Sequence, residues 1–221
     1  MLSKLPYKHK YPQSKWGLKI VKILRFLNID KTASIVDAPC GNGIIAWFVK
    51  SAMPDNPVMA FDLNEDLLKS PYLENQNIRS LKLDVFKQQL EGNNHVWLLI
   101  NSLYCLPDKD KLIEANKAYY KYIICLVPDS NKVNFKTFTK QHPDFQNPSL
   151  MSIKSTIDFF NNHNYRLLTN EGITSLPFHW LNRTIFFLKL PLNVKNFIFF
   201  VLDACYFFGN KQYRILTFER I

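Results

Sequence analysis

An α/β fold, with an open and mostly parallel sheet covered by helices on both faces, is the class that this sequence predicts. Three observations predict it. Short apolar runs rich in β-branched residues alternate with stretches of helical period from residue 34 to residue 127. The run Val96 to Ile100 is apolar throughout, as expected of a parallel strand covered on both faces. Four of the runs end on a polar residue, Asp37, Asp62, Asp84 and Asn101, so four separate segments deliver a polar group to the sheet edge where such folds bind ligands.

The chain starts basic and proline-punctuated, with Pro6 and Pro12. Ser14 is placed to cap a helix that carries Trp16, Ile20, Ile23, Leu24 and Leu27 on one side and Lys15, Lys19 and Lys22 on another. Ser34-Ile35-Val36 is a first strand. It stops at Asp37-Ala38-Pro39-Cys40-Gly41-Asn42-Gly43, ahead of a helical stretch from Ile44 to Met53. A second strand, Val58 to Phe61, ends at Asp62, and Asn64 can cap a helix with Glu65 and Asp66 in its first turn. The third strand, Ile78 to Leu83, ends at Asp84, and the fourth ends at Asn101. A helix from Lys109 to Tyr120 and a fifth strand, Tyr122 to Val127, complete the alternation.

Beyond that core, Lys132 to Ser149 is polar and holds Pro143 and Pro148, which predicts a loop or cover segment. A helix over Ser155 to Asn162 and a sixth strand over Tyr165 to Thr169 follow, and Tyr213 to Phe218 reads as the last strand. Between these two strands lies an apolar, Phe-rich stretch, Ile173 to Phe208, interrupted by Pro177, Arg183, Lys189, Pro191, Lys195 and Asp203. One domain is expected for the 221 residues: a basic N-terminal helical segment (1–31), a ligand-binding core (32–130), a cover segment and sixth strand (131–172), an apolar insertion (173–209) and the last strand (210–221).

Composition narrows the partners. With 47% hydrophobic residues the chain can bury a core without disulfides or metals. Its 28 Lys and Arg against 18 Asp and Glu, a net charge of +10, favour acidic partners such as nucleic acid, anionic lipid or phosphorylated substrates, or merely a solvated basic surface. Cys40, Cys105, Cys125 and Cys205 form neither CxxC pairs nor a Cys/His cluster of zinc spacing, so reduced thiols and no metal site are expected. The first apolar stretch, Trp16 to Ile29, is broken by Lys19, Lys22 and Arg25 and no small-residue cleavage site follows. A cytoplasmic location without a membrane-spanning helix is the expectation.

From Ser34 to Val127, with an ending at Tyr213 to Phe218, the sequence resembles the class I S-adenosylmethionine-dependent methyltransferases of the small-molecule type. The resemblance implies a Rossmann-like open sheet of about seven mostly parallel strands with helices on both faces, an antiparallel last strand and an apolar helical insertion before it. Asp37 and the turn Pro39, Cys40, Gly41, Asn42 and Gly43 are similar to that family's acidic residue and GxGxG turn. Carried over, Asp37 orients the turn and the aminoacyl end of the cofactor, and Gly41 and Gly43 let the backbone come close to it. Pro39 departs from the usual glycine and removes one backbone donor. Asp62, followed by Leu63, matches the acidic residue whose carboxylate accepts both ribose hydroxyls. Asp84 and Val85 resemble the pair that reads adenine, and Asn101 and Ser102 open a segment, Asn101 to Asp108, that looks like the fourth motif and ends in Leu-Pro-Asp. The implied cofactor is S-adenosyl-L-methionine.

The rival within the fold is an NAD-dependent dehydrogenase, because Gly41-Asn42-Gly43-Ile44-Ile45-Ala46 also satisfies G-x-G-x-x-G/A with Asp62 further on. A carboxylate at Asp37 would repel a pyrophosphate but suits a cationic ligand, which argues against it. Methyl transfer by direct displacement needs alignment and water exclusion, with a general base for some acceptors. Candidates by location are Tyr104, Asp108, His142 and His179; each histidine also reads as an ordinary loop residue, and Tyr104 as packing under the cofactor. The insertion reads as extra core, a dimer surface, a lid over an apolar acceptor or a membrane contact, given Trp180, Phe186, Phe187, Phe199 and Phe200 among Arg183, Lys189 and Lys195. With the basic first helix, this favours a small-molecule acceptor, apolar or lipid-linked, with peripheral membrane contact. An RNA acceptor and a non-catalytic, methyltransferase-like binding protein are the alternatives.

Overall fold

The computed structural model describes residues 11–74, 77–85, 94–129, 151–173, 194 and 213–221. Seven strands form one sheet in the order β3-β2-β1-β4-β5-β7-β6: β1 Ser34–Asp37, β2 Val58–Asp62, β3 Arg79–Lys82, β4 Asn94–Ile100, β5 Tyr122–Pro128, β6 Tyr165–Ile173 and β7 Tyr213–Arg220. The pairs β3·β2, β2·β1, β1·β4 and β4·β5 are parallel. The last strand, β7, is antiparallel to both β5 and β6, as expected. The order reverses between β1 and β4, and at such a switch point the turns after the two strands diverge and leave a crevice.

Among the described residues the helices are α1 Tyr11–Phe26, α2 Ile44–Ala52, α3 Glu65–Leu68, α4 Pro71–Glu74, α5 Lys109–Asn116 and α6 Ile153–Asn162. Two buried clusters sandwich the sheet. One joins α1 and α2 to the face carrying Ile35, Val58, Val96, Leu98 and Ile124. The other joins α5 and α6 to the face carrying Val36, Trp97, Leu99, Ile123 and Cys125. Alternate residues of β4 and β5 thus go to opposite faces and both faces are covered, which is why these strands read as continuous apolar runs. The α1–α2 packing is close because Gly17 has no side chain; a Cβ there would overlap the Phe48 ring.

Several boundaries differ from the sequence reading, each for a local reason. Helix α1 starts at Tyr11, so Ser14 lies inside it; Pro12 sits in the first turn, where a missing N–H costs nothing. Helix α5 stops at Asn116, whose buried side chain donates to the Leu112 carbonyl, and a 3-10 turn over Lys117–Tyr119 follows. Helix α6 starts two residues early because Ser152 Oγ accepts from the Ser155 N–H at 3.0 Å. Strand β6 runs on to Ile173, which is buried and pairs with Tyr213, so Ile173 belongs to the sheet and not to the insertion. Of the expected cover segment, residues 131–150 lie outside the described residues. So do residues 174–193 and 195–209 of the expected insertion, and residues 210–212 of the expected last-strand segment.

Candidate functional site

The turn after β1 is held from three sides. Trp97, fully buried on β4, donates its indole N–H to the Ala38 carbonyl at 2.8 Å. The Cys40 N–H donates to the Phe61 carbonyl at 2.9 Å, and the Gly41 N–H to Asp62 Oδ2 at 2.7 Å. The Ala38–Pro39 peptide is cis. Asp37 ends β1 almost wholly buried, and its Oδ2 accepts from the Ala46 N–H at 3.2 Å, which ties the strand end to the first turn of α2. The turn is therefore anchored to β2, β4 and α2 at once.

The two glycines have different tasks. Gly41, at φ 56°, would direct a Cβ into open space, so its bare backbone is exposed to whatever occupies the crevice. Gly43, at φ 71°, would drive a Cβ into Leu73 of α4, and it is buried. Its lack of a side chain serves the packing of α4 on α2, and it is not among the cavity-lining residues.

A cavity of about 490 Å³ opens where the ends of β1, β2 and β4 meet, within the usual range of about 300–1,000 Å³ for small-molecule sites. It is lined by Asp37, Pro39, Cys40, Gly41, Asn42, Asp62, Asn101 and Ser102, all expected, and by Trp16, Ile44, Ile45, Leu67 and Ile100. The sequence reading missed these five as site residues. Trp16 was legible only as an apolar position of α1, and nothing in the local sequence says that α1 folds back over the sheet edge.

The charge of this lining is one-sided. Its carboxylic acids are Asp37 and Asp62, both buried, and no Lys, Arg or His is among the described lining residues. Burial, with a smaller contribution from the nearby Asp62, pushes the Asp37 carboxyl up to about 8. Burial also pushes the Cys40 thiol far up, so it stays neutral; Cys40 and Cys125, the cysteines whose side chains are described, are buried free thiols. Asp62 accepts with both oxygens, from Gly41 at 2.7 Å and from Asn64 at 2.9 Å. A carboxylate has about four lone-pair sites, so two remain for a ligand. Across the cavity, Asn101 takes a left-handed backbone, φ 57°, and its Oδ1, like the Ser102 hydroxyl, is buried with no hydrogen-bond partner among the described residues. Unpaired buried polar atoms are costly, and two beside one cavity point to a polar ligand as their partner.

The other expected site residues stand apart from this lining. Leu63 is 61% exposed at the end of β2, Val85 packs into the core, and Asp84 follows β3 without lining the cavity. Tyr104 is buried in a 3-10 turn, Leu103–Cys105. Asp108 is exposed and caps α5, its Oδ1 accepting from the Lys111 N–H at 3.0 Å. His142 and His179 lie outside the described residues. No cluster of metal-ligating side chains occurs among the described residues, and no described helix is long and apolar enough to cross a membrane.

No protein-family model matches the sequence, and no curated protein matches it. Solved structures do. The chain is similar to magnesium protoporphyrin IX methyltransferase from Synechocystis PCC 6803 with bound SAH, at 12% identity and a TM-score of 0.61 over 96% of this chain and 84% of that one. It is similar to the methyltransferase domain of bacterial CtHen1-C, at 10% identity and a TM-score of 0.61 over 96% of this chain and 99% of that one. It also resembles the mitomycin 7-O-methyltransferase MmcR, at 15% identity and a TM-score of 0.56, covering 86% of this chain but 49% of the other. These likenesses show that this chain has the Rossmann-like fold found in S-adenosylmethionine-dependent methyltransferases.

Proposed function

We propose that the protein is an S-adenosylmethionine-dependent methyltransferase that methylates a small-molecule, apolar or lipid-linked acceptor in the cytoplasm. The observation that carries this reading is the lining of the cavity: two buried carboxyls, a bare glycine backbone and two unpartnered polar atoms, with no cation among the described residues. A ligand that presents positive charge and hydrogen-bond donors suits it, and a pyrophosphate does not.

Bound there, S-adenosylmethionine supplies an electrophilic methyl group on a cationic sulfur. The remaining tasks fall to the chain. Asp62 has the free lone pairs for a vicinal diol, and its bond to Gly41 keeps the turn in place while it does so. Asp37, which burial keeps protonated in the free protein up to about pH 8, would ionise toward the cationic aminoacyl end when the ligand binds. The Asn101 carbonyl and Ser102 hydroxyl offer an acceptor and a hydroxyl across the cavity. Ile44, Ile45, Ile100 and Trp16 exclude water, which strengthens each of these interactions. Similarity to enzymes that act on a porphyrin and on mitomycin supports an organic acceptor, and the apolar part of the lining supports an apolar one.

Calorimetry with S-adenosylmethionine and with NAD tests the reading directly. Binding of the former alone, lost in Asp62→Ala while the fold persists, is the expected result. Binding of NAD alone, or of neither by folded protein, would refute it in favour of a dehydrogenase or a non-catalytic binding protein.

A further inference from the structure

Helix α1 has two faces with different surroundings. Ile20, Val21, Ile23 and Leu24 are buried against the sheet and α2. At about 100° per residue the opposite side carries Leu18, Lys22, Arg25 and Phe26 on one stripe, with Lys15 beside them. Single exposed apolar side chains are ordinary on a helix; what marks this stripe is their setting among cations. Here Leu18 is 49% and Phe26 73% exposed, set between basic side chains. Neither Lys22 nor Arg25 makes an ion pair among the described residues.

The sequence that carries this stripe is one-sided in charge. Before Asp30 the sequence has Lys4, Lys8, Lys10, Lys15, Lys19, Lys22 and Arg25 and no acidic residue at all. Seven of the chain's positive charges thus stand in its first 29 residues, against a net charge of +10 for the whole. Of these, Lys19 is already committed: its Nζ donates to the Gly172 carbonyl at 3.0 Å and lies 3.4 Å from Glu171, which clamps α1 to β6. With Ile20, Val21, Ile23 and Leu24 buried in the core, this contact leaves the stripe facing outward.

We infer that the outward face of α1 docks on an anionic lipid surface, with Phe26 and Leu18 entering the headgroup boundary and Lys22 and Arg25 meeting lipid phosphates. Exposed apolar side chains between cations are the signature of a helix lying in a membrane interface, where long basic stems reach past the apolar residues to the headgroups. Nucleic acid would reward the cations but not an exposed leucine. The docking surface stands on α1 alone and does not depend on the methyltransferase reading.

The test is sedimentation of the full chain with vesicles of phosphatidylcholine alone and of phosphatidylcholine mixed with phosphatidylglycerol, which requires no turnover. Binding to the mixed vesicles only, weakened by salt, is expected. Each basic residue near an anionic surface is worth about fivefold in binding, so Lys22→Glu with Arg25→Glu should lower it more than about tenfold. Phe26→Ser should weaken binding while leaving its salt dependence unchanged. All variants should melt like the parent and keep its S-adenosylmethionine affinity. Equal binding to both vesicle types, binding to neither, unaltered binding by the variants, or binding to a single-stranded RNA but not to vesicles would each overturn the inference.

Discussion

Replacing Asp37 by Asn should stabilise the ligand-free protein at neutral pH and weaken its hold on a cation. The carboxyl is buried at the end of β1, and burial raises it to about 8 from an ordinary 3.8. The sign follows from proton counting. Below about pH 4 both folded and unfolded chains carry the proton and Asp37 has no effect of this kind. Between there and about pH 8 the unfolded chain has lost the proton that the folded chain keeps, so stability falls by about 1.4 kcal/mol per pH unit, and it levels off above. At about pH 7 the accumulated loss is on the order of 4 kcal/mol, a large share of a domain's total of about 5–15 kcal/mol. Asparagine has the same shape, has no proton to lose, and its Oδ1 can still accept from the Ala46 N–H.

Urea unfolding of both proteins without ligand, from about pH 5 to pH 9, measures the difference. The two stabilities should diverge as pH rises, with the Asp37→Asn variant the more stable and its curve the flatter. Parallel curves, or a variant that is less stable at every pH, would refute the argument. Ligand binding carries the same linkage in reverse. A cation favours the ionised carboxyl, so parent affinity for S-adenosylmethionine should rise towards pH 8 by up to about tenfold per unit, and Asp37→Asn should remove that dependence. A flat parent profile over this window would show that Asp37 does not meet the cationic part of the ligand.

Other substitutions separate roles that look alike in the sequence. Gly43→Ala forces a Cβ into Leu73 at a positive φ and should cost about 2–4 kcal/mol in chemical denaturation. Gly41→Ala meets no neighbour and should cost only about 1–2 kcal/mol, yet reduce S-adenosylmethionine affinity sharply in calorimetry because the new methyl enters the cavity. Asp108→Ala should lower stability by about 1 kcal/mol through the lost helix cap and leave methyl transfer unchanged; a large fall in turnover with stability intact would make Asp108 a catalytic group after all.

The sequence by itself determined the class of fold and most of its elements. Apolar runs of strand length, four of them ending on a polar residue, and side-chain caps at helix starts are local patterns with local causes. Asn64 and Asp108 cap their helices through their own side chains, and β4 and β5 are apolar because both faces of the sheet are covered. The acidic end of β1, the glycine turn and Asp62 were legible for the same reason: a ligand-binding turn between strand and helix needs particular residue types at short spacing.

Only the tertiary structure decided what those residues do for one another. Gly41 and Gly43 are close neighbours in the chain, yet one faces open space and the other the distant Leu73, a difference set by the packing of α4. Asp62 holds the turn through the Gly41 N–H, Trp97 holds it through the Ala38 carbonyl, and neither link can be read before β1, β2 and β4 are side by side. Trp16 enters the cavity because α1 folds across the sheet edge, and the same fold turns Leu18 and Phe26 outward. Burial of Asp37 is likewise collective: the sequence places a carboxyl at the strand end, and the surrounding strands and helix remove the water that would have kept it an ordinary acid.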